Sequence, residues 1–80
     1  MSKQSSILEA EMRVKKWFGK EQSFKEAREA AIALNLGIQR EYNKGDYFFR
    51  QALYPKMKEA EQLVLQYNSD YEDLKLLGRI

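Results

Sequence analysis

An all-α fold is what this sequence predicts, and three observations predict it. Ser-x-x-Glu occurs at Ser6/Glu9, Ser23/Glu26 and Ser69/Glu72, each time ahead of a run whose apolar residues recur at three- and four-residue steps. No stretch of strand length alternates convincingly between apolar and polar residues. The cluster Asn43-Lys44-Gly45-Asp46 separates the two longest runs with turn-forming residues. The expected arrangement is a single domain, a small helical bundle of three main helices at about 7–18, 24–43 and 47–67. A short C-terminal helix at 70–77 completes it, and a central antiparallel helical hairpin is its base.

Residues 1–5 are polar and expected to fray. Ser6 then opens the first helix, because its hydroxyl accepts from the Glu9 amide while the Glu9 side chain reaches back to the Ser6 amide. Ile7, Ala10, Val14, Trp17 and Phe18 form its apolar side, and Gly19 ends it. Lys15, Lys16 and Lys20 sit in or near the last turn, where cations complement the helix dipole without any ligand.

The second helix is expected to start at Phe24, capped by Ser23. Its stripe is Phe24, Ala27, Ala31, Leu34, Ile38 and Tyr42, the spacing of one buried face. Gly37 in its interior costs about 1 kcal/mol relative to alanine. The stripe keeps its phase through Ile38 and Tyr42, so one continuous helix is predicted. Gly45 is expected at positive φ in a tight turn, with Asp46 capping the third helix. A connection this short makes the flanking helices antiparallel neighbours.

The third helix carries Phe49, Leu53, Met57, Ala60, Val64 and Tyr67 on one face. Tyr47, Tyr54 and Leu65 fall together on a second face at 100° per residue. Pro55 lies inside, where it removes a backbone hydrogen bond and clashes with the preceding turn, so a kink or break is expected near Tyr54. Ser69 then caps a terminal helix containing Leu74, Leu76 and Leu77, which Gly78 ends.

Eighty residues without Cys or His exclude disulfides, thiolate chemistry and the usual zinc ligands. No signal-peptide or membrane-span pattern occurs, and a cytoplasmic protein is expected. The net charge of +2 is small; it is +3 over residues 1–20, −1 over 21–46 and zero over 47–80. Neither a phosphate-binding glycine loop nor a nucleophile elbow is present, and Asp46, Asp70 and Asp73 do not have calcium-loop spacing. No catalytic residue, cofactor, metal or small-molecule substrate is therefore expected.

Two binding readings compete. The favoured one is a small non-catalytic interaction module, an adaptor or regulatory subunit, docking a protein partner or a second copy. It rests on an aromatic surplus near the hairpin turn and along the third helix. Tyr47, Phe48 and Tyr54 would anchor the contact, with Lys44 and Arg50 as its polar rim. The alternative is nucleic-acid binding by Lys15, Lys16, Lys20, Arg40 and Lys44, with the Trp17 and Phe18 rings stacking on unpaired bases. The alanines followed by Leu36, Gly37 and Ile38 resemble a helix-turn-helix. Yet Asn43 and Asp46 fall where the second helix would need apolar residues, and Glu41 and Asp46 offset Arg40 and Lys44.

Overall fold

The computed structural model describes residues 3–80, with side chains from Ser6 onward. Three α-helices succeed one another: α1 at Lys3–Val14, α2 at Glu21–Lys44 and α3 at Tyr47–Leu76, with a 3-10 turn at Lys15–Trp17 after α1. No strand occurs among the described residues, so the fold is all-α. The principal contact is between α2 and α3, and α1 packs on α3.

The capping boxes do not mark the helix starts. Lys20, not Ser23, stands at the N-cap of α2 and makes no side-chain cap. Gly19 in the left-handed region (φ 78) turns the chain, and the Phe24 amide then donates to the Lys20 carbonyl at 2.9 Å. Helix begins as soon as the chain leaves that turn, with Glu21 in the first turn complementing the dipole. Ser6 lies inside α1, whose backbone is helical from Lys3. Ser69 lies inside α3, so the separate helix expected at 70–77 is the last two turns of a 30-residue helix. Nothing between Tyr67 and Ser69 breaks helix, and Asn68 is held there by its Oδ1 accepting from Arg28 Nε at 3.0 Å.

Helix α3 also runs unbroken past Pro55. Pro55 and Gln51 are both exposed, so the Gln51 carbonyl that loses its partner remains within reach of water. The start of α3 is fixed as expected, by Asp46 Oδ1 accepting from the Phe49 amide at 2.9 Å. Gly45, by contrast, adopts φ −77 and ψ 159, an extended conformation open to any residue. Glycine is required there for space: a Cβ would collide with the Phe49 ring. At the other end of α3, Gly78 (φ 72) donates to Lys75 O at 3.0 Å and Arg79 donates to Leu74 O at 2.9 Å. That pair of bonds closes a Schellman cap.

The expected first helix divides in two, ending as α-helix at Val14 and tightening into the 3-10 turn before Gly19. Helix α2 is continuous through Gly37. Its buried stripe differs at one position. Leu34 is 53% exposed, and Asn35 takes the inward place. The two straddle the line from Ala31 to Ile38, and the contact with α3 falls on the Asn35 side.

The core gathers at one end. Val14, Phe24 and Leu74 are fully buried, one from each helix, with Trp17, Phe18, Tyr67, Tyr71, Leu77 and Ile80 packed around them. Trp17 meets Phe24 edge-on at 5.1 Å and lies 6.2 Å from Tyr67. Such ring pairs contribute about 0.5–1.5 kcal/mol beyond their area. Arg13 clamps Asp73 with two hydrogen bonds of 2.8 and 3.0 Å, tying α1 to α3. The Asp73 hydrogen bond holds the Arg13 guanidinium above its already high ordinary pKa.

Candidate interaction surface

The five residues predicted to dock a partner lie at the turn end of the α2–α3 pair, away from the core. Tyr47 is 69% exposed, Phe48 81% and Tyr54 46%. The Tyr47 and Phe48 rings pack edge-on at 5.6 Å, so they form one aromatic knob in the first turn of α3. Tyr54 lies seven residues beyond Tyr47 and Leu65 eighteen beyond it, which puts all three on one line of the continuous helix; Phe48 projects a quarter-turn away. Lys58 Nζ lies 5.4 Å from the Tyr54 ring centroid and 3.4 Å from Glu61 Oε2. The hydrogen bond to Glu61 raises the Lys58 pKa above its ordinary value.

Of the two rim residues, Lys44 is exposed at the end of α2. Arg50 is engaged elsewhere. Its guanidinium donates to Tyr42 O and Asn43 O, both at 3.0 Å, and lies over the Tyr42 ring at 5.6 Å. The last carbonyls of α2 have no donor within their own helix, and Arg50 reaching back from α3 supplies two. Arg50 is thus a brace of the turn rather than a free rim cation.

The alternative cationic set is divided. Lys15, Lys16 and Lys20 sit beside the core, where Trp17 packs against Tyr67, while Arg40 and Lys44 sit by the turn next to Tyr47. Twenty helical residues from Tyr47 to Tyr67 separate the two groups by about 30 Å. Lys16 Nζ is 3.7 Å from the buried carboxylate of Asp70, which also accepts from Trp17 Nε1 at 3.2 Å and Gln66 Nε2 at 3.1 Å. The aromatic partners proposed for this patch, Trp17 and Phe18, belong to the core.

One feature escaped the residue patterns. Two open-sided depressions, of about 320 and 470 Å³, share Leu34 and Ile38 and run along one side of the hairpin. Phe49, Leu53, Ala60 and Leu63 of α3 form the opposite wall. The signal was present as the seven-residue series Phe49, Lys56, Leu63, Asp70 and Leu77, which marks one line down α3. Near the core that line is covered, since Asp70 meets Trp17 and Lys16 and Leu77 joins the core cluster. Toward the turn it is open, with Leu63 42% and Phe49 44% exposed.

Among the described residues no helix is long and apolar enough to cross a membrane, and no group of three or more acidic side chains converges as a cation site would need. No family model, curated protein or solved structure matches the chain.

Proposed function

We propose that this chain is a small helical bundle built on the antiparallel hairpin of α2 and α3, acting as a non-catalytic protein–protein interaction module. It would serve as an adaptor or regulatory subunit. The observation that carries the reading is the aromatic knob of Tyr47 and Phe48, continued along α3 by Tyr54 and left in solvent at the turn end. Aromatic side chains of this kind supply contact area at low entropic cost, and the tyrosine hydroxyls remain hydrogen-bonded when docked. Lys44 and Lys58 flank the knob as a polar rim.

The test is capture of the partner by immobilised chain, comparing the natural sequence with the double variant Phe48→Ala, Tyr54→Ala after nuclease treatment. The expected result is loss of the captured protein with far-UV circular dichroism unchanged, since neither ring contributes to the buried core. Loss of helicity would instead assign these rings to folding. Captured material that disappears with nuclease and on Lys15→Glu, Lys16→Glu would move the function to nucleic acid.

A further inference from the structure

We propose that the turn end of the hairpin, residues 38–54, is a rigid cap that swings on a hinge made by Gly37 of α2 and Pro55 of α3. The swing aims the aromatic knob. This device goes beyond the interaction proposed for the knob, and it is tested on the chain alone.

The first observation is that the two weakest points of the helices stand level. The Phe24 and Tyr67 rings, with centroids 5.9 Å apart, and the reach of Arg50 to Tyr42 O fix the register of the pair. Thirteen residues along both helices from the first contact, or five from the second, Gly37 comes opposite Tyr54 and Pro55. Glycine leaves a helix interior its greatest backbone freedom, and proline leaves the Gln51 carbonyl without its backbone donor. A weak point in one helix is splinted by an intact helix beside it. Two at one level leave no splint, and the pair can bend there.

The second is packing. Ala31 and Ala60, opposite each other by the same register, are buried, whereas no residue from 32 to 59 is. A bend at Gly37 and Pro55 therefore opens no enclosed core. Both residues are exposed, and a Cβ built on Gly37 meets nothing within 4 Å. Two residues before Gly37, Asn35 Oδ1 is buried without a hydrogen-bond partner among the described residues. Parting the helices at this level breaks no bond of that atom and brings it to water.

The third is that the cap is tied within itself. Asp46 Oδ1 accepts from the Phe49 amide, and Arg50 donates to Tyr42 O and Asn43 O across the turn. These bonds hold the end of α2 to the start of α3, so the cap moves as one piece instead of fraying. Tyr47 and Phe48 lie inside it and Tyr54 at its edge. The hinge thus turns the knob relative to the core end, where Val14, Phe24 and Leu74 hold the three helices together.

Residual dipolar couplings of the isotope-labelled full chain in a dilute aligning medium test the proposal. Couplings from residues 21–34 and 60–76 define the body, and those from 38–54 the cap. Each set should fit a single orientation of its own, with the cap showing at most about four-fifths of the body's degree of order. In Gly37→Ala, Pro55→Ala the ratio should rise to about one. Either substitution alone restores a splint and should raise the ratio as well, which provides further variants should the pair fail to fold. A cap as ordered as the body in the natural chain overturns the proposal, as does a ratio that stays low in a folded hinge variant. Natural-chain cap couplings that fit no single orientation would overturn it too, because the turn would then fray and not swing.

Discussion

At one end of the molecule α3 packs on α1 as well as α2, and Phe24 of α2 meets Trp17 of the 3-10 turn; at the turn end α2 and α3 have only each other. The first region buries Phe24, Leu74 and Val14 completely, whereas the second buries nothing larger than Ala31 and Ala60. The helices are the same two, and both regions hold large apolar residues. A pair of helices touches along a narrow line, and only small side chains on that line are fully enclosed. Large ones such as Leu34, Phe49 and Leu63 are shut away only when a third element covers the flank, as Trp17 does near the core. Even the inner line of the arm is imperfect, since Asn35 Oδ1 is buried there with no hydrogen-bond partner among the described residues.

The largest effect should therefore come from truncating the same kind of side chain in the two regions. Phe24→Ala or Leu74→Ala removes a fully buried side chain and should cost about 3–5 kcal/mol, enough to unfold most of a domain this small. Leu53→Ala, half-buried in the arm, should cost about 1 kcal/mol. Urea unfolding at low protein concentration measures both. Equal losses would mean that the arm carries as much of the stability as the core.

Legibility in the sequence divides along the same boundary. The all-α class, the inner side of the first helix from Ala10 to Phe18 and the cap at Asp46 were readable because each depends on residues within one or two turns, whereas Ile7, expected on that inner side, is 42% exposed. The helix ends were not. Ser-x-x-Glu has the spacing of neighbours on any helix face, so Ser6 and Ser69 sit inside helices whose length is decided by what they pack against. Pro55 misled in the same way. Its local penalty is real, but it falls on an exposed flank of a helix fixed by Asp46 and Arg50 at its start and by the core at its far end. Arg50 looked like a free cation because its partners, the Tyr42 and Asn43 carbonyls, become acceptors only once α2 ends where it does. The line of the groove on α3 was present in the series from Phe49 to Leu77, but the place where it opens was not: that is set by where α1 stops covering α3, which no single helix pattern contains.

An intermediate effect should come from Asp70, whose buried carboxylate joins Trp17, Gln66 and Lys16 at the boundary between the two regions. Asp70→Ala leaves the half-buried indole N–H without its acceptor and removes the contact to Lys16. A loss of about 1–3 kcal/mol is expected, together with a change in Trp17 fluorescence as the 3-10 turn loosens. Trp17 is the single tryptophan, so the signal belongs to this contact alone. A variant of unchanged stability and emission would show that ring packing against Phe24 and Tyr67 holds the turn unaided.

The smallest effect has the opposite sign and belongs wholly to the arm. Gly37 is helical with negative φ and open space around its α-carbon, so nothing in the monomer calls for glycine. Gly37→Ala should stabilise the chain by about 0.5–1 kcal/mol, through a higher helix propensity and a less flexible unfolded state. It should appear as slower amide exchange between Leu34 and Tyr42, with the protection of Phe24 and Leu74 rising only by the small change in global stability. Thermal unfolding and hydrogen exchange measure it, and a loss of stability in Gly37→Ala would show that the helix depends on glycine at this position.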